Sequence, residues 1–184
     1  TNAGAEIAVA TTKAFSAQLG VSYILASYLA YEKGLVDCEF IKSFTDEILS
    51  MPEKIKTSLD TNKVTEQLSR LIATKEHIFF IGRGIDYPLC LEGSLKLKEI
   101  SYIHCEGYGA GELKHGTISL VEEGTVVVAI ATDQKLFGKM VSNIKEVHAR
   151  GAYVIAVVKE GTKGIEEIAD ETIYIPDAPR YLTP

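Results

Sequence analysis

Apolar residues recur at helical spacing over residues 1–74 and gather into short unbroken runs beyond. Residues 14–32 form a long apolar-rich stretch (Phe15, Leu19, Val21, Ile24, Leu25, Leu29), and Gly34 supplies a C-terminal stop. Phe40, Ile41, Phe44, Ile48 and Leu49 predict a second, amphipathic helix halted near Pro52, and Val64, Leu68, Leu71 and Ile72 predict a third. The runs HIFFIG (77–82), TVVVAIA (125–131) and YVIAVV (153–158) are rich in β-branched and aromatic residues, as strands buried on both faces of a parallel sheet are. Helical segments lie between them at 87–102 and at 135–150, the latter keeping Leu136, Met140, Ile144 and Val147 on one face, and ETIYIP (171–176) predicts a last strand. This alternation predicts an α/β fold, a three-layer sandwich around a doubly wound parallel sheet, preceded by a helical segment. The expected division is a helical segment at 1–74 and a sheet domain at 75–184, with no internal repeat, low-complexity tract or flexible linker.

The run LEGSLKLKEISYIHCEGYGAGELKHG (91–116) carries charge where the pattern calls for apolar residues. On a helix, Glu92, Lys96 and Glu99 fall within about 60° of one another and form one stripe. Leu91, Leu95 and Tyr102 flank it on one side, Leu89 and Ile100 on the other. Such a stripe is expensive to bury and unnecessary on a free surface, so it is expected on the wall of a cleft. A Gly-rich turn then delivers Glu112, Lys114 and His115.

Composition narrows the classes. With 184 residues, 46% hydrophobic and 24% charged, the chain can build a core and is not disordered overall. A net charge of −6 argues against nucleic acid as a partner, while leaving room for a small anion at a local basic site. Cys38, Cys90 and Cys105 form no CxxC pair and no Cys/His metal pattern, which fits a reducing cytoplasm. Neither a signal peptide nor an uninterrupted apolar run of about 18 residues is present, so no membrane partner is expected. The start at TNAG, without Met, and the stop at YLTP just after a predicted strand lead us to expect a piece of something longer.

Four constellations could carry chemistry. Lys96 and Glu99, three apart on one face, suit a general base beside an ammonium, or else a surface ion pair. His115, with Gly109 and Gly111 before it, suits proton transfer, or else is an ordinary surface histidine; His104 and His148 lack such a setting and are expected to be structural. IGRGIDYP (81–88), between a strand and a helix, suits the wall of a phosphate or sugar site, or else a plain turn, since GRG lacks the full GxGxxG fingerprint. Thr11, Thr12 and Lys13 in AVATTKAF suit contacts to sugar hydroxyls or phosphate, or else simple helix capping.

Taken together, TNAGAEIAVATTKAF (1–15), the string from Phe80 to Gly116 and the later strand–helix pattern closely resemble the isomerase half of the glucosamine-6-phosphate synthases, over essentially the whole chain. That resemblance implies a SIS (sugar isomerase) domain with a five-stranded parallel sheet, the second of two, behind a glutaminase domain. It implies delivery of glutamine-derived ammonia to fructose 6-phosphate to give glucosamine 6-phosphate, without metal or organic cofactor. It further implies that Glu99 moves a proton between C1 and C2 of the fructosimine, that Lys96 assists, and that His115 helps open the sugar ring from the neighbouring subunit of a homodimer. The segment from Val9 to Thr11 would contact the sugar.

Departures from that family's pattern bear on activity. The SxSGxT loop that holds most of the phosphate in the first SIS domain is not found, nor is the C-terminal tail whose Lys forms a Schiff base with the open-chain sugar. The fragment alone is therefore expected to be inactive or nearly so. Two alternatives stay open: a non-catalytic SIS module that binds a sugar phosphate in regulation, and a related SIS deglycase or isomerase.

Overall fold

Five runs of the chain become parallel strands in a computed structural model that describes residues 1–183, with Asn62 described by its backbone alone. They are β1 (His77–Gly82), β2 (His104–Gly109), β3 (Val126–Ile130), β4 (Tyr153–Lys159) and β5 (Glu171–Ile175), in the spatial order β2-β1-β3-β4-β5. The helices are α1 (Thr12–Glu32), α2 (Cys38–Leu59), α3 (Asn62–Ile72), α4 (Asp86–Ser101) and α5 (Phe137–His148), with short 3₁₀ turns at Glu112–His115 and Thr117–Leu120. The chain divides into two compact units, Thr1–Lys54 and Ile55–Pro184.

In the second unit the apolar runs bury both faces of the sheet. On one face Ile78, Phe80, Val126, Val128 and Ile155 pack with Cys90 of α4 and Leu68 of α3. On the other, Phe79, Ile81, Val127, Ala129 and Val154 pack with Met140, Ile144 and Val147 of α5 and with Leu113. The result is three layers, α3 and α4, the sheet, then α5. β1 pairs with both β2 and β3, so Gly82 aligns with Gly109 on one side and Ile130 on the other. The strand order therefore reverses between β1 and β3, which is the topological switch point of a doubly wound sheet.

The pattern of the sequence did not disclose β2. Residues 104–109, HCEGYG, read as part of a Gly-rich turn, but they form the edge strand beside β1. Gly107 is required there by close approach: a Cβ on it would lie 2.8 Å from the carbonyl carbon and oxygen of Cys90 in α4. The expected stop at Pro52 is also corrected, since α2 continues through it to Leu59. Proline forfeits one helical bond, but the apolar stripe of Phe44, Ile48 and Met51 runs on to Ile55 and Leu59, so the amphipathic pattern outlasts the interruption.

In the first unit, α1 is apolar on all sides and buries no residue; Val21, Ile24, Leu25, Tyr28 and Leu29 are exposed along it.

Candidate active site

α4 leaves the carboxyl end of β1 and returns to the amino end of β2, because parallel strands need such a crossover. At 1.5 Å per residue, Glu99 sits about 20 Å along the helix from Asp86, toward the amino-terminal edge of the sheet. Asp86, Cys90 and Ser94 are its buried residues. Glu92, Lys96 and Glu99 are half-buried beside that face, while Leu91, Leu95, Ile100 and Tyr102 are exposed.

The three charges meet. The Lys96 Nζ lies 3.0 Å from Glu99 Oε2 and 3.3 Å from Glu92 Oε1, with 21% of the Lys96 side chain exposed and 30% and 25% of the two glutamates. The Lys96 ammonium is held above the usual lysine range, first by its hydrogen bond to Glu99, against partial desolvation, and then by Glu92. A lysine shared between two carboxylates stays charged and fixes both in place. Of Glu99's two oxygens only Oε2 is engaged by Lys96. Such an arrangement can supply a carboxylate base whose orientation is set by its neighbour.

The other sequence candidates fall elsewhere. His115 follows β2 at the opposite, carboxyl edge of the sheet; its Nε2 is 3.9 Å from Glu112 Oε2, and both side chains are about three-quarters exposed. Within one chain it does not join Lys96 and Glu99. Lys114 pairs instead with Glu146 of α5 at 2.6 Å. Val9 and Thr11 belong to the first unit. Val9 is exposed, and Thr11, at the start of α1, has φ +54° and turns its hydroxyl back to the Val9 carbonyl at 2.7 Å. Thr11 therefore does not cap α1 by its side chain, contrary to the simple capping alternative. His104 Nδ1 lies 3.3 Å from His77 Nδ1, and His148 Nε2 is 3.9 Å from Asp170.

A cluster that the sequence reading did not single out occupies the switch point. Asp86 is 1% exposed, and its Oδ2 accepts hydrogen bonds from the backbone N–H groups of Thr132 (2.9 Å) and Asp133 (3.1 Å), while the Thr132 hydroxyl donates to Oδ1. Burial pushes the Asp86 carboxyl above the usual carboxylate range, and these hydrogen bonds pull against that shift. Beside it, Asp133 takes bonds at 2.9 Å from both Nε and a terminal nitrogen of Arg180, which hold its carboxyl below the usual range. Arg83 turns away, donating to Asn143 Oδ1 at 2.9 Å. The only sequence signal for this cluster was Asp86 inside IGRGIDYP. Thr132, Asp133 and Arg180 come from distant segments and carry no local signature. Among the described residues no group of three or more His, Cys, Asp or Glu is placed to hold a metal, and no helix is long and apolar enough to cross a membrane.

Residues 71–183 match the SIS domain family. The chain belongs to that family. The SIS module and its preceding helices are 51% identical over 182 residues to the isomerizing glutamine–fructose-6-phosphate aminotransferase of Clostridium tetani, covering 99% of this chain and 30% of that protein. The enzyme of the same name from Methanosarcina mazei is 47% identical over 184 residues, again with 30% of its length covered. The SIS chain thus spans about 30% of the length of the curated relatives it matches. Among solved structures, the C-terminal domain of glucosamine–fructose-6-phosphate aminotransferase from Francisella tularensis superposes with a TM-score of 0.91 at 36% identity, over 98% of this chain and 51% of that one.

Proposed function

We propose that this chain is the second SIS domain, with its preceding helices, of an isomerizing glutamine–fructose-6-phosphate aminotransferase, and that Glu99 is the base of the isomerisation. The observation that carries the reading is the Lys96–Glu99 pair, half-buried on α4 between Leu95 and Ile100. Similarity of essentially the whole of this chain to about 30% of the length of enzymes of that name supports it.

In the proposed reaction, glutamine-derived ammonia adds to the C2 carbonyl of open-chain fructose 6-phosphate, and loss of the C2 oxygen as water gives a C2 imine. Glu99 takes a proton from C1; the C–H electrons form the C1=C2 double bond, and the imine nitrogen gains a proton to become an amine. The C1 hydroxyl then loses its proton, C1 becomes a carbonyl, and C2 receives a proton, giving glucosamine 6-phosphate. Lys96 holds the Glu99 carboxylate toward that carbon. His115, remote from Glu99 within one chain, would act on the sugar ring of a neighbouring subunit, so the reading includes a homodimer. Val9 and Thr11 would contact the sugar. The parent would work in the cytoplasm, its ammonia and the rest of its substrate clamp coming from a glutaminase domain and a first SIS domain of the same chain. The isolated fragment would then be inactive.

The test is Glu99→Gln in the full-length parent enzyme. Loss of turnover by at least about 100-fold, with fructose 6-phosphate binding retained, is expected for removal of a general base. Wild-type turnover in that variant would refute the assignment. A sugar-phosphate sensor would instead show no turnover to lose.

A further inference from the structure

In open α/β sheets ligands collect outside the carboxyl ends of the strands at the switch point, where backbone N–H groups and helix N-termini favour anions. Here that place lies between the exits of β1 and β3, and the amides of Thr132 and Asp133 point into it. What they meet is a carboxylate of the chain itself. Asp86 stands in the first turn of α4, but its side chain crosses to the exit of β3 and takes two amides and a hydroxyl there. The turn that carries it is pressed close: Gly84 has φ +58°, and a Cβ on it would lie 2.7 Å from the Leu136 side chain and 3.3 Å from Asp133 Oδ2. At the same corner Arg180 pairs with the Asp133 carboxylate and balances its charge.

We infer that Asp86 is a built-in anion occupying this module's phosphate cradle, so that the switch point is closed to phosphorylated ligands and opens to them when the carboxylate is removed. The donors aimed at Asp86 are those that would hold a phosphate, two adjacent backbone amides and a hydroxyl, while the neighbouring Asp133 carboxylate is neutralised by Arg180 rather than left to repel an anion. A carboxylate fixed in the chain competes for them intramolecularly, at an effective concentration set by its short tether rather than by the solution. The inference rests on the switch-point geometry and stands whether or not Glu99 is the base of the proposed reaction.

The experiment is titration of the chain with inorganic phosphate, read at the backbone amides of Thr132 and Asp133 by ¹H–¹⁵N NMR, for the wild type and for Asp86→Ser. The wild-type amides should stay in place. In the serine variant they should move saturably, with phosphate bound at least about tenfold more tightly than by the wild type, a difference of about 1.4 kcal/mol. Phosphate shifting the wild-type amides with comparable affinity, or a folded serine variant that gains no binding, would overturn the inference. If Asp86→Ser is unfolded in plain buffer, phosphate should refold it where chloride of equal ionic strength does not, beyond any change of the wild type under the same salts. Absence of that difference would overturn it equally.

Discussion

Gly107→Ala loads the contact that seats α4 against β2, and with it the placement of Lys96 and Glu99. The added Cβ would lie 2.8 Å from the Cys90 carbonyl carbon and oxygen and 2.9 Å from the Leu91 nitrogen, all backbone in the middle of α4. Comfortable carbon contacts begin near 3.5 Å, so strand and helix must part by roughly 0.7 Å, and no side chain can rotate away to relieve it. Overpacking of this kind costs about 1–3 kcal/mol, and restricting the unfolded chain at a glycine returns about 0.4–1 kcal/mol. With only backbone to yield, the net loss should lie near 2 kcal/mol, or roughly 4–8 °C in Tm for a chain of this size. Thermal melts of both proteins measure it, and amide shifts should move along α4 and β2. Gly93→Ala is the contrasting control: its Cβ would meet the Phe80 ring at 3.2 Å, a side chain that can give, and alanine is preferred to glycine within a helix by about 1 kcal/mol. A Gly107 variant as stable as the wild type, or one no worse than the Gly93 variant, would refute the packing argument.

Three further outcomes follow from the electrostatics and burial. Glu99→Gln removes the larger of the two influences raising the Lys96 ammonium, so its titration, followed by the ¹³Cε shift, should move to lower pH; an unchanged midpoint would contradict the pairing. The sign for stability is that of a cation raised on folding: the contribution is complete below the unfolded lysine pKa, about 10.4, and is lost as pH climbs through the folded value. Arg180→Ala should lower stability at pH 7, by a modest amount because the Arg180 side chain is 51% exposed and water screens the pair. Asp133 is lowered on folding, so this loss should shrink as pH falls below the unfolded aspartate pKa, about 3.9, toward the folded one, and urea melts at pH 7 and pH 3 would check it. Native thiol labelling should modify Cys38, which is exposed, and spare Cys90 and Cys105, with all three reacting in denaturant; Cys90 is pushed up to about 12, first by burial and then by the nearby Asp86, so raising the pH to 9 should not expose it.

How much the sequence disclosed depended on how local the signal was. β1, β3 and β4 are unbroken apolar runs because both of their faces are covered, and hydropathy alone finds such strands. β2 is different: it lies at the edge, and two of its six residues are the glycines Gly107 and Gly109. Gly107 is there because α4 leaves no room for a side chain, so its signal is a packing constraint that resembles a turn until the helix is in place. The same holds at the two candidate sites. Glu92, Lys96 and Glu99 sit on one helix, and helical geometry brings them together from spacing alone. Asp86, Thr132, Asp133 and Arg180 are up to 94 positions apart, from 86 to 180; the pairing of β1 with β3 brings Asp86 to Thr132 and Asp133, and the segment after β5 brings Arg180 to Asp133.

That contrast bears on how the module could work. The end of an α/β sheet where ligands ordinarily collect is satisfied here from within, its amides spent on Asp86 and its neighbouring carboxylate on Arg180. The charged cluster lies instead along α4, with Lys96 and Glu99 about 15–20 Å down the helix from Asp86, beside exposed Leu91, Leu95 and Tyr102. A half-buried carboxylate on a helix flank has neither the enclosure that excludes water nor a cation free for a phosphate beside it, since Lys96 is shared by two carboxylates. Under the proposed reading, enclosure and phosphate binding must therefore come from protein that covers the α4 flank. The apolar residues bordering the cluster are suited to be buried by it, and the base would then be desolvated only once that cover is in place. Catalysis by this module would accordingly depend on assembly rather than on any further rearrangement of the sheet.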